Sequence, residues 1–306
     1  MYYKLMIFLM VSSITGFIHS EENSKKEQTI QTEAIRKAVE FINQNNTQSA
    51  IDCILENAEK GDLESQYVLG IIYTIENDNT KAAEWYEKSA IGGHAEGQSN
   101  FGALLAEGIG VKCDPEKAFY WFEKSAKQGN KSSLFCLGLS YYKGHGVGQD
   151  YQKAISFYQE AANENCTSSL HALGQIYLFG NGVKKNYVKA MNYFEKGAEL
   201  GDPKSQLDLA IMYYKGEGLK KNYGKSVYWY KKAAEQNNAN AQHNLGYMYK
   251  EGLGIEKDLK LALYWLGRSI QNGNKCSANV MYEIYEENEQ LKNSCIGFEL
   301  PSSAIL

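Results

Sequence analysis

The sequence is short of prolines, histidines, basic runs and long apolar runs, and each shortage removes a class of protein. Three prolines in 306 residues force few breaks, and beside 28 glycines they point to helices closed by glycine turns. Lysine pairs such as Lys184-Lys185 and Lys220-Lys221 stand alone, and the formal charge is −4. A phosphate backbone needs clustered Lys and Arg, so nucleic acid is not an expected partner. The G-x-S-x-G and H-E-x-x-H patterns do not occur, and no other local arrangement of catalytic residue types stands out. Each glycine loop follows a helical pattern rather than a strand, which is the wrong setting for a phosphate cradle.

The longest apolar stretch, Leu5 to Ile18, has 14 residues, against the ~20 a membrane-spanning helix needs. With Lys4 before it and small Ser20 before Glu21-Glu22, residues 1–20 read as a cleaved secretory signal. The expected setting is the secretory pathway: outside the cell, the ER lumen or the periplasm, with no transmembrane segment in the mature chain. Three N-x-S/T triplets, at Asn45, Asn130 and Asn165, would accept glycans only in a eukaryotic route.

What the chain has in abundance is periodic. A Leu-Gly-like pair recurs at Leu69-Gly70, Phe101-Gly102, Leu137-Gly138, Leu173-Gly174, Leu209-Ala210 and Leu245-Gly246, at spacings of 32, 36, 36, 36 and 36. A Gly-x-Gly loop starting at Gly108, Gly144, Gly180, Gly216 and Gly252 keeps the same step. So does an aromatic pair such as Trp121-Phe122 or Trp229-Tyr230. Each unit reads as two helices. In the first, Leu245, Met248 and Tyr249 share a face, and Gly246 lets another helix come close. After the glycine loop, Asp114, Asp150, Asn186, Asn222 and Asp258 are placed to cap a second helix. One such hairpin cannot bury its apolar face alone, whereas stacked neighbours can.

Residues 97–132 carry Phe101, Gly102, Gly108, Gly110, Val111, Asp114, Lys117, Ala118, Trp121, Phe122, Lys124 and Ala126 at the positions of a known pattern. On these residues the chain resembles the Sel-one-like repeat family, long-looped relatives of tetratricopeptide repeats. The resemblance implies an all-α fold, a right-handed α/α superhelical solenoid of about six 36-residue helix-turn-helix repeats with degenerate end units. It also implies a protein-interaction scaffold whose partner is a protein or peptide: in a eukaryote an adaptor such as those of ER quality control, in a bacterium a secreted or periplasmic factor contacting envelope or host proteins. From the residues themselves no cofactor, metal or catalytic residue is expected.

The expected organisation is a linker at 21–29, a degenerate capping repeat at 30–64 and six repeats at 65–96, 97–132, 133–168, 169–204, 205–240 and 241–276. A capping helix at 277–292 and a loose tail at 293–306 follow.

Helical phase assigns the concave face, by analogy with tetratricopeptide repeats, to the side opposite the core stripe at ~100° per residue. It takes Tyr67 and Ile71, then Phe135, Leu139 and Tyr142. Further along it takes His171 and Gln175, Leu207, Ile211 and Tyr214, and finally His243 and Tyr247. Contact between neighbouring repeats would also select apolar residues at some of these phases. The rival class is the secreted cysteine-rich relatives, described as β-lactamase-like hydrolases, which cross-link the helices of each repeat. That design implies a bridge between Cys136 and Cys166. His171 and His243, two repeats apart, cannot share a metal.

Overall fold

The computed structural model describes residues 26–288, and the signal, linker residues 21–25 and the tail expected at the two ends lie outside them. The chain divides into two compact units, residues 1–164 and 165–306. All regular structure among the described residues is α-helical.

The N-terminal unit holds four hairpins: α1 (Lys26–Asn43) with α2 (Thr47–Glu59), α3 (Leu63–Ile75) with α4 (Asn79–Gly92), α5 (Ala95–Glu107) with α6 (Pro115–Ala126), and α7 (Lys131–Lys143) with α8 (Tyr151–Asn163). The C-terminal unit holds three: α9 (Thr167–Phe179) with α10 (Tyr187–Glu199), α11 (Pro203–Lys215) with α12 (Tyr223–Glu235), and α13 (Ala239–Glu251) with α14 (Leu259–Gln271). The last described helix, α15 (Ser277–Glu287), packs on α14 and α13. The protein is an all-α solenoid of helix-turn-helix repeats.

The second helices start where their capping residues stand. Asp114, Asn186 and Asn222 accept the N–H of Lys117, Lys189 and Lys225 at 3.0, 2.9 and 2.9 Å, and Asp150 and Asp258 each accept two N–H groups. First helices have caps too, at Asp62, Asn130, Asp202 and Asn238. The first helices at these caps start two residues ahead of the repeat boundaries expected from the sequence, at 63 rather than 65 and 131 rather than 133, and α9 does so without a side-chain cap. α1 begins at Lys26, because Lys26-Glu27-Gln28 are good helix formers leading into the buried stripe Ile35, Ala38 and Val39.

Two glycine positions per repeat do different work. A Cβ at Gly138 would stand 2.6 Å from the Tyr158 ring, so the aromatic of the second helix lies on the bare backbone of the first. In the loop, Gly146 has φ +73° and a Cβ there would overlap the Pro115 carbonyl, at the start of the preceding hairpin's second helix. The first contact closes a hairpin; the second seats one hairpin on the next.

A repeated polar clamp completes the stacking. The buried Gln66, Gln98, Gln206 and Gln242 reach back eight residues to donate to the carbonyls of Ala58, Ala90, Ala198 and Ala234 at 2.9–3.1 Å, which ties each first helix to the hairpin before it. Gln128, Gln236 and Asn272 then donate to the side-chain oxygens of Gln98, Gln206 and Gln242 at 2.8–2.9 Å. At Gln66 the corresponding residue is Gly92, which has no side chain to offer, and the Gln66 oxygen is buried without a partner. Buried amides that complete their hydrogen bonds rigidify a junction; an incomplete one weakens it.

Candidate partner-binding surface

The residues assigned by phase to a groove separate into two groups. In the N-terminal unit Tyr67, Phe135 and Leu139 are each 5% exposed and Ile71 1%. The Tyr67 ring lies 6.0 Å from that of Tyr86 and 4.9 Å from that of His94, and Phe135 lies 5.5 Å from Tyr158. These four side chains are packing, with no surface left to offer a partner. Two of them meet the second helix of their own hairpin, Tyr67 through Tyr86 and Phe135 through Tyr158, so the phase opposite the core stripe is still core at these positions. Tyr142, near the end of α7, stays half-buried with its ring 5.4 Å from Tyr151.

In the C-terminal unit the same phases keep surface. His171 and Gln175 on α9 both donate to the carboxylate of Asp208 on α11, His171 through Nε2 at 2.9 Å. Because a carboxylate only accepts, this fixes the imidazole with its proton on Nε2. Leu207, Ile211 and Tyr214 are half-buried and pack on the hydrophobic core around Leu245 and Tyr230. Tyr214 faces the ring of Tyr223, and burial with the nearby Tyr247 and Tyr223 hydroxyls raises its pKa. His243 Nδ1 meets the Ser277 hydroxyl at 2.8 Å, and burial lowers its pKa. Tyr247 is exposed. The face therefore offers aromatic rings and polar groups held in place by bonds between successive first helices.

Asp208 and Ser277 escaped sequence reasoning. Each anchors a histidine on the preceding first helix, and only the residues three and zero places into the next repeat would have shown it. The remaining described histidines are also accounted for or exposed: His94 caps α5 by accepting from Gly97 N–H and meets Glu64 at 2.7 Å, while His145 lies exposed in a loop. No group of three His, Cys, Asp or Glu among the described residues is placed to hold a metal. The bridge anticipated from the cysteine-rich relatives is not made. Cys166 is a free thiol at the N-terminus of α9, and Cys136 is turned into the core of α7. No described helix is long and apolar enough to cross a membrane.

The Sel1 repeat family description matches residues 63–94, 95–130, 132–166, 167–202, 203–238 and 239–274. The chain belongs to the Sel1-repeat family. Among solved structures it is similar to a Sel1 repeat protein of Oxalobacter formigenes, with 31% identity and a TM-score of 0.71 over 77% of this chain and 98% of that one. It is also similar to the antigen c5321 of uropathogenic Escherichia coli, with 30% identity and a TM-score of 0.68 over 92% of this chain and 62% of that one. No curated protein matches the chain. In Sel1 terms, each matched segment opens at a first helix, so the glutamine clamps sit at the junctions between repeats, where a solenoid gains its stability.

Proposed function

We propose that this protein is an exported protein-interaction scaffold that holds a protein or peptide partner on the first-helix face of its C-terminal unit. The observation that carries the reading is the surface of His171, Gln175, Tyr214, His243 and Tyr247, in which Asp208 holds His171 and Gln175 and Ser277 holds His243 before any partner arrives. A surface already held in one arrangement loses little freedom on binding. The similar structure from uropathogenic Escherichia coli is described as a protective antigen, which agrees with a chain that works outside the cytoplasm. The expected partner is not a nucleic acid, given the net negative charge.

Affinity capture from the native organism, read by mass spectrometry, tests this. Tyr142→Ser alone should leave capture intact. Tyr214→Ser with Tyr247→Ser should abolish it while the helical circular dichroism signal persists. Capture that survives the double substitution would refute the assignment.

A further inference from the structure

Charge is not shared evenly between the units. Residues 26–164 carry 13 Lys and Arg against 20 Asp and Glu, whereas residues 165–288 carry 16 against 12. The basic excess of the C-terminal unit has an address. Lys184-Lys185 and Lys220-Lys221 occupy the same place in two consecutive glycine loops, and Lys189 and Lys225 the same place in the helices that follow. All six are exposed, and none makes an ion pair among the described residues. Their caps are Asn186 and Asn222, neutral where Asp114, Asp150 and Asp258 put a carboxylate in other repeats.

Tyrosines hold these lysines out along one edge. Lys185 lies 5.8 Å from the Tyr187 ring and Lys221 5.5 Å from Tyr223. Lys189 lies 5.0 Å from Tyr177 and Lys225 5.1 Å from Tyr213. The loops are adjacent, because a Cβ on Gly218 would run into Tyr187, at the start of α10. The carboxylate of the second loop, Glu217, is engaged by Lys215 at 3.8 Å, and the next loop brings Glu256 and Asp258 around Lys257. The positive edge is thus two repeats long.

We propose that this edge, made of loops 180–186 and 216–222 with the first turns of α10 and α12, docks an acidic, extended segment of a partner protein. The chemistry favours a polypeptide. Stacking of nucleic-acid bases needs free ring faces, and these rings are engaged by lysine, with Tyr177 and Tyr213 buried. Neighbouring helical repeats stack at ~10 Å, and an extended chain advances ~3.3 Å per residue, so carboxylates three residues apart would meet successive lysine pairs. The proposal rests on the protein-binding reading of the function but not on the first-helix face.

The test is fluorescence anisotropy of the full chain with a fluorescein-labelled twelve-residue peptide carrying glutamate at every third position, against the same peptide with glutamine. The glutamate peptide should bind, and more weakly as salt rises from 50 to 300 mM. The combined Lys184→Ser, Lys185→Ser, Lys220→Ser and Lys221→Ser variant, at exposed positions that leave the core intact, should lose about ten-fold or more in affinity. Tyr214→Ser with Tyr247→Ser should not affect this peptide, which separates the edge from the face. Equal binding of the glutamine peptide, no binding at all, or binding indifferent to the four lysines would overturn the proposal. So would tighter lysine-dependent binding of a single-stranded oligonucleotide or of phosphatidylcholine vesicles with one-fifth phosphatidylserine.

Discussion

Replacing Gln242 by Leu tests whether the glutamine clamp holds neighbouring repeats together. Gln242 is fully buried, donates to the Ala234 carbonyl at 3.0 Å and accepts from Asn272 at 2.9 Å. Leu keeps most of the volume but removes both bonds. At ~1 kcal/mol for each hydrogen bond, with the Asn272 amide losing a partner and the Ala234 carbonyl still taking the Asn237 N–H, the change should cost about 2 kcal/mol. Gln66 is the internal control. It makes the same bond to Ala58 at 2.9 Å, but its oxygen is buried without a donor. Gln66→Leu therefore trades one bond for relief of one orphaned acceptor and should cost well under 1 kcal/mol. Hydrogen exchange followed by mass spectrometry reads each helix separately, which suits an array whose repeats open locally. Gln242→Leu should lower the opening free energy of α12 and α13 by the stated amount, and Gln66→Leu should leave α2 and α3 nearly unchanged. Equal losses at the two sites would refute the clamp, since they would mean that the amide acts only as filler.

Other predictions follow from single contacts. Gly218 has φ +75° and faces Tyr187, so Gly218→Ala should destabilise the α10–α11–α12 region by about 2 kcal/mol, seen as faster exchange in loop 216–222, whereas Gly148→Ala, with open space around it, should do little. Burial opposes protonation of His94, but its hydrogen bond to Glu64 and the charges of Glu64, Glu96 and Asp62 prevail and raise its pKa above 6.5. The ion pair therefore contributes its full stability below about pH 6.5 and loses it as pH rises through the raised value, partly offset because only the neutral ring accepts the Gly97 N–H. An NMR titration should show the raised pKa, and Glu64→Gln should bring it to or below 6.5 and flatten the pH dependence of unfolding. Maleimide labelling with peptide mapping should modify the exposed Cys113 and Cys276 first and Cys136, 5% exposed, last.

Much of the architecture is written in the period. Leu-Gly pairs, Gly-x-Gly loops and the Asp or Asn caps each answer a local requirement, so Gly138, Gly146 and Asp114 could be assigned their places before any coordinates. The site was less legible. Helical phase ranks the faces of a first helix, but not how far round it the rings of the second helix reach: Tyr158 meets Phe135, and Ile71 is buried as well. The clamp was hidden for another reason. Glutamine beside a helix N-terminus reads as solvent-facing, and positions 134 and 170 hold Leu instead, so its recurrence at 66, 98, 206 and 242 is broken in the middle. The Asp208 anchor joins residues 37 apart, a pairing that only stacking creates.

The central claim is that a protein partner is held by the C-terminal unit, on its first-helix face and its lysine edge. Hydrogen exchange of the full chain, with and without a partner captured from the native organism, measures it directly. The account predicts protection concentrated in α9, α11, α13 and loops 180–186 and 216–222, with α3 to α7 unchanged. Protection concentrated in α3 to α7, with the C-terminal unit indifferent to the partner, would contradict it.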